Sequence, residues 1–143
     1  MGSSSSNNTP LFVFGTLLDH DVATLVCGDS MLQAERCPAI LPGFETRYVK
    51  DSTAPVLVLA RSSRVYGEVV PVKTEFVAKV IEPWKGNYEL CSISVKLLKG
   101  DDCQCMYFSH TGFSEITGKR WVLDEWRQIH KREYLKQIKA MLH

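Results

Sequence analysis

Two places in this chain combine residue types and spacing suited to chemistry. The first is the stretch Leu11-Phe12-Val13-Phe14-Gly15-Thr16-Leu17-Leu18-Asp19. Its four opening apolar residues, two of them Phe, suit a strand buried on both faces. Gly15 breaks the run, and Asp19 is a good N-cap for a following helix. A turn from strand to helix leaves the backbone N–H groups of Gly15, Thr16 and Leu17 without sheet partners, and such groups near a helix N-terminus hold carboxylates and oxyanions. Taken alone, the stretch reads first as a tight turn that binds nothing, because short motifs recur by chance. No Gly-Lys-Ser/Thr follows at the required spacing, which excludes a phosphate loop of the Walker type. The second place is Glu82, where a helical pattern ends against Pro83-Trp84 and Lys85-Gly86-Asn87 leads into Tyr88. Taken alone, a glutamate at a helix end reads as solvated surface. Beside apolar groups its pKa rises, and it can then take and return a proton near neutral pH.

Together, in this order, the two features resemble the gamma-glutamylcyclotransferase-like family, which includes gamma-glutamylamine cyclotransferases and the plant avirulence-induced-gene proteins. Phe12 to Leu17 is similar to the family's Tyr-Gly-Ser/Thr-Leu signature. Glu82 and Tyr88 match its glutamate at the end of a central helix and the tyrosine that opens the next strand. The resemblance covers about Leu11 to Phe108. It implies a reaction in which the α-amine of a gamma-glutamyl compound attacks its own γ-carbonyl, forming 5-oxoproline and expelling the γ-side amine or amino acid. The nucleophile is tethered, so the protein's task is orientation and proton transfer. The resemblance implies Glu82 as base and then acid. It also implies a substrate-binding set of Phe14, Gly15, Thr16, Leu17 and Tyr88, and no metal or organic cofactor. Two positions depart from the pattern: Phe14 stands where the family has Tyr, and Leu90 where it often has Arg. These departures keep open an alternative of another class, a non-catalytic member of the fold that binds a small ligand or a protein.

The rest of the chain must position these residues. Asp19 to Cys27 reads as a short helix, with Val22, Leu25 and Val26 at i, i+3 and i+4 and Gly28 to end it. Met31 to Leu41 contains a strand with an edge or bulge at Pro38. Pro42-Gly43 signals a turn, Phe44 to Val49 a second strand, and Lys50 to Ala54 a loop. Val56-Leu57-Val58-Leu59 predicts a buried strand over Pro55 to Ala60. Arg61-Ser62-Ser63-Arg64 reads as a hairpin connection to a strand over Val65 to Val72, with Gly67 marking a bend or a close approach. Thr74 suits the cap of a helix with Val77, Val80 and Ile81 on its apolar face. Tyr88 to Leu98 and Cys103 to Phe108 pair across a turn at Lys99 to Asp102. Ser109 to Arg120 reads mostly as loop, and Trp121 to Leu142 as the longest helix, with Trp126, Ile129 and Ile138 among its apolar positions. This pattern predicts an α+β domain around a small sheet. The resemblance implies a mixed β-barrel with short flanking helices, a longer C-terminal helix and a cavity at the barrel mouth.

Composition sets further bounds. The chain has 143 residues, 45% apolar and 23% charged, with a net charge of +1. That suits a single domain, Leu11 to His143, after a Ser- and Asn-rich leader, Met1 to Pro10, that reads as disordered. A near-neutral chain carries no global field toward nucleic acid or an anionic membrane; the resemblance implies a small gamma-glutamyl substrate as partner, and the oligomeric state stays open. Lys131, Arg132, Lys136 and Lys139 read as a solvated helix face rather than a nucleic-acid contact, because Glu125 and Glu133 interleave. Five Cys, an odd number without zinc spacing, read as free thiols; Cys27, Cys37 and Cys91 read as small core residues, and Cys103 and Cys105 share one strand face. With no secretory signal and no apolar run of transmembrane length, a cytoplasmic location is expected. His20, His110 and His130 show no triad or metal spacing.

Overall fold

A computed structural model describes residues 8–27, 35–74, 77, 88–112 and 114–142. Six strands form one sheet: β1 (Asn8–Val13), β2 (Cys37–Val49), β3 (Pro55–Lys73), β4 (Tyr88–Leu97), β5 (Asp102–His110) and β6 (Ile116–Arg120). The order β3-β1-β5-β4-β2, with a further β2–β3 pairing, closes five of them into a barrel; β6 pairs outside it, on β2. The barrel is mixed, because β1 runs parallel to β5 and antiparallel to β3. Helices α1 (His20–Cys27), α2 (Leu123–Ile129) and α3 (Lys131–Leu142) flank it. The architecture is therefore the α+β barrel with a C-terminal helix that the sequence led us to expect.

The core divides into three layers, and strand alternation decides which residue goes where. Phe12 of β1, Ala39 and Leu41 of β2, Val65 and Val69 of β3, Val95 of β4 and Cys105 of β5 form one cluster. Every closed strand contributes to it, so it is the barrel interior. Leu11 and Val13 of β1, Val70 and Val72 of β3 and Phe108 of β5 point the other way and pack with Ala23 of α1 and Val77. Val22, Tyr48, Trp121, Trp126 and Ile138 make a third cluster among the helices.

Several boundaries differ from the sequence reading. β1 begins at Asn8, so Asn8 to Pro10 are strand rather than leader, pairing with Lys73, Val72 and Pro71. The strands expected on either side of Pro42-Gly43 are one strand, and so are those on either side of Arg61 to Arg64. The register explains both. Pro42 pairs with Arg64 and Phe44 with Leu59, so Gly43 alone faces residues 60–63 in an irregular bulge. The two turn-like signals are opposite sides of the same bulge. Pro55 to Ala60 is strand but is buried only at its start: Pro55 and Val56 are buried, while Leu59 is 82% exposed. Ile116 to Arg120, expected as loop, is strand β6, pairing with Arg47 and Val49. The last helix is two, parted at His130, whose φ of −112° departs from the regular helical value of about −63° and whose ring packs edge-on to Tyr48. Ile129 is exposed there rather than packed. Gly67 is a close approach: a Cβ at that position would lie 2.4 Å from the Val13 carbonyl oxygen. The expected helix after Thr74, apart from Val77, lies outside the described residues, as does Glu82.

Candidate functional site

β1 delivers the chain to the turn. Phe14 continues the strand in extended conformation and acts as the N-cap of a 3₁₀ turn over Gly15–Leu18. Gly15 has φ +63°, and a Cβ on it would lie 2.5 Å from Cγ of Pro55. Both the dihedral and the close approach require glycine here. Because the cap carbonyl takes the first bond of such a turn, the Leu17 N–H is used within it, and the turn leaves the Gly15 and Thr16 N–H groups unused. The turn closes with the Asp19 N–H donating to the Thr16 carbonyl at 3.0 Å. Gly15 and Thr16 are buried, and Leu17 packs between the outer barrel layer and the helical layer.

Asp19 then caps α1. Its Oδ1 accepts from the N–H groups of Asp21 at 3.0 Å and Val22 at 3.3 Å. Its Oδ2 meets Arg127 Nε at 2.9 Å and Lys131 Nζ at 3.1 Å, from α2 and α3. Burial works to raise the Asp19 pKa, but the hydrogen bonds from Arg127, Lys131 and Val22 prevail and hold it below its ordinary value. The turn is thereby tied to both C-terminal helices through one buried carboxylate.

Around the turn stand polar rings. Tyr88 opens β4 directly opposite His110 of β5, with ring centroids 4.8 Å apart. Burial pushes the Tyr88 hydroxyl far above the usual phenol range, and nearby Tyr134 of α3 adds to the shift. Burial likewise raises Tyr134, offset in part by a hydrogen bond from Thr16. Both phenols therefore remain protonated donors at neutral pH. Trp126 packs edge-on to Tyr134, with centroids 5.3 Å apart.

Of the residues predicted for the site, Thr16, Leu17 and Tyr88 come together in this outer layer, linked through Tyr134. Phe14 does not join them as a side chain. Its ring stacks on Phe12 at 5.8 Å and tilts against Tyr107 at 6.2 Å, with the barrel interior cluster. Leu90, the second departure from the family pattern, packs against the outer cluster. Sequence reasoning passed over His110 and did not consider Tyr134. The hairpin turn at Lys99-Gly100 was a signal for His110, since it sets residue 88 opposite residue 110. For Tyr134 the signal was its spacing of four from Ile138 on an amphipathic helix.

A family model described as "Gamma-glutamyl cyclotransferase, AIG2-like" matches residues 11–134. The chain belongs to this family. Among curated relatives, AIG2-like protein A of Arabidopsis thaliana is 23% identical over 137 residues, covering 92% of this chain and 80% of the relative. A solution structure of another Arabidopsis thaliana protein superposes with a TM-score of 0.65 at 20% identity, covering 99% of this chain and 95% of that one. A solved gamma-glutamyl cyclotransferase superposes at 0.64 with 16% identity, covering 93% and 87%. At these identities the solved structures establish the shared fold. Among the described residues no helix is long and apolar enough to cross a membrane.

Proposed function

We propose that this chain is a cofactor-free gamma-glutamyl cyclotransferase that releases 5-oxoproline from a gamma-glutamyl amine or peptide, with Glu82 as its proton-transfer group. One observation carries the reading: in a chain whose residues 11–134 match the family, Gly15 and Thr16 of the signature turn are buried, and Thr16 meets Tyr134, which stands near Tyr88. A buried Gly15-Thr16 backbone gives fixed donors for the substrate carboxylate or for the oxyanion that forms on the γ-carbonyl. Donors held in place before the reaction cost no reorganisation during it.

The chemistry then needs little else. Glu82 removes a proton from the α-ammonium. The freed amine attacks the γ-carbonyl, and a carbon–nitrogen bond closes the five-membered lactam. The γ-carbon–nitrogen bond to the leaving group breaks as Glu82 returns the proton to the departing nitrogen. The attacking nitrogen sheds its second proton as the lactam forms, both protons end on the departing amine, which leaves as its ammonium, and no electron leaves or enters. Tyr88 serves substrate binding as a neutral donor, and Phe14 contributes through its backbone position. The free thiols among the described residues suit a reducing compartment, so the same proposal places the reaction in the cytoplasm.

The test is a panel of gamma-glutamyl amines and peptides assayed for 5-oxoproline. At least one member should be turned over catalytically with the purified protein in the presence of a metal chelator. A folded protein inactive on every member sinks the proposal.

A further inference from the structure

The basic run of the C-terminal helix takes a definite shape in the fold. α3 carries Lys131, Leu135 and Lys139 at four-residue spacing, with Arg132 and Lys136 beside them. At about 100° per residue these five fall on one stripe. Arg127 comes from α2, across the break at His130, and the six residues line an open groove of about 590 Å³. That volume lies within the range of small-molecule sites.

Charge within the groove is uneven. Arg127 and Lys131 are engaged by Asp19, Asp21 and Asp124. Among the described residues no acidic side chain is ion-paired with Arg132, Lys136 or Lys139. Glu133, the one acidic residue of α3, falls off the stripe. The whole chain carries only +1, so this surplus is local. A solvated helix face accounts for scattered lysines, but not for their collection in a concavity around half-buried Leu135.

We propose that this groove binds a small organic polyanion, a compound with at least two phosphate groups. Arg132 and Lys139 lie about 10 Å apart along the helix axis, farther than one phosphate reaches, so a ligand that meets both carries a phosphate chain or separated phosphates. Arg132 supplies a planar fork for bidentate contact, and the lysines supply mobile point charges. Leu135 offers the ligand's body an apolar contact. Nucleic acid would need the positive surface to continue beyond the groove, and a chain of near-zero net charge does not favour that.

The test is titration calorimetry of the full chain with inorganic phosphate, tripolyphosphate and ATP at two salt concentrations. ATP and tripolyphosphate bind with one-to-one stoichiometry and weaken as salt rises, and inorganic phosphate binds least. Tighter binding of ATP assigns a role to Leu135, and equal binding assigns recognition to the phosphates alone; both support the site. Lys136→Gln and Lys139→Gln each weaken ATP binding about two- to five-fold, and the double variant about ten-fold. Their thermal melts without ligand match the parent, because both side chains are exposed. Lys50→Gln, elsewhere on the surface, changes nothing. Arg127 and Lys131 are left intact because they hold buried Asp19. The proposal is overturned if neither polyphosphate binds saturably, if phosphate binds as well as ATP, or if the double variant binds like the parent. It is also overturned if a single-stranded oligonucleotide binds far more tightly than ATP and loses that binding in the same variants.

Discussion

The two faces of β1 teach different lessons. Phe12 and Phe14 meet an interior built from apolar side chains and cysteine thiols, one or two from each strand of the closed barrel. Leu11 and Val13 meet a layer that takes in Leu17 and Leu18 of the turn and Tyr88, whose ring lies against His110. The interior fixes register and closure. The outer layer carries, in Tyr88, a side chain able to donate and accept hydrogen bonds. Alternation along a single strand separates the barrel interior from the side that carries the proposed site, so a substitution's consequence should depend on which face it touches.

The largest effect belongs to the chemistry. Glu82→Gln keeps size and removes the proposed proton acceptor, so turnover should fall by about 10² to 10⁴ with an unchanged thermal melt. Affinity for a non-cleavable gamma-glutamyl analogue should change much less, since the turn backbone remains. Steady-state 5-oxoproline release and calorimetry measure the two. A folded variant with the parent rate removes Glu82 from the mechanism.

Next comes Asp19, which joins the turn to α2 and α3. Asp19→Asn keeps a cap acceptor for α1 but leaves Arg127 and Lys131 without their buried counter-charge. We expect a loss of about 3 kcal/mol, toward the low end for breaking a buried pair because both cations keep contact with water. Burial opposes ionisation of Asp19, but its cationic and backbone partners depress the folded pKa. Its stabilisation is therefore complete above the unfolded value, about 3.9, and is lost as pH falls through the lower folded value. Urea melts of parent and variant should differ by a constant amount from pH 5 to 8 and converge below about pH 4. A difference that grows on acidification contradicts the pairing.

On the scaffold side, Gly67→Ala should cost about 2 kcal/mol. The new methyl would meet the Val13 carbonyl oxygen and the Phe12 ring, and the backbone has no flexible end to yield. Any turnover should survive in the folded fraction. A variant as stable as the parent shows that β1 and β3 can move apart there.

How much of this was legible beforehand follows the same division. The apolar run before Gly15 and the Asp19 cap were readable because strand, turn and cap signals are local. Gly67 as a close approach was readable because few other causes place glycine inside a strand. The bulge between β2 and β3 was not. Pro42-Gly43 and Arg61 to Arg64 each resemble a turn, and only pairing between distant segments shows them facing one another. β6 was missed for a similar reason: Ile116 to Arg120 shows no run of alternating apolar residues and is held as strand by its partner β2. At the site, the backbone turn was visible in the sequence. The meeting of Thr16 with Tyr134 was not, since it depends on how α3 returns over the barrel end.

The smallest effect should come from the thiols of the interior. Cys103 and Cys105 lie on the same face of β5 and pack with the barrel cluster. Burial, with a contribution from Cys103, pushes the Cys105 thiol up to about 12. At pH 8 the reactive thiolate of such a group is about one part in ten thousand, and thiolate is the species that alkylates. Iodoacetamide applied to the folded protein at pH 8 should therefore leave Cys105 unmodified over a time that labels all five cysteines of the urea-unfolded chain. Gamma-glutamyl turnover should stay at the untreated level, because the proposed proton transfers use no sulfur and Cys105 lies on the scaffold face of its strand. Peptide mapping by mass spectrometry reads the labelling, and 5-oxoproline release reads the activity. If Cys105 is labelled as fast in the folded as in the unfolded chain, the interior opens on the timescale of the reagent and is not the closed scaffold described. If Cys105 stays unlabelled while activity is lost, a thiol outside the interior borders the substrate, and the division between the two faces of the barrel needs redrawing there.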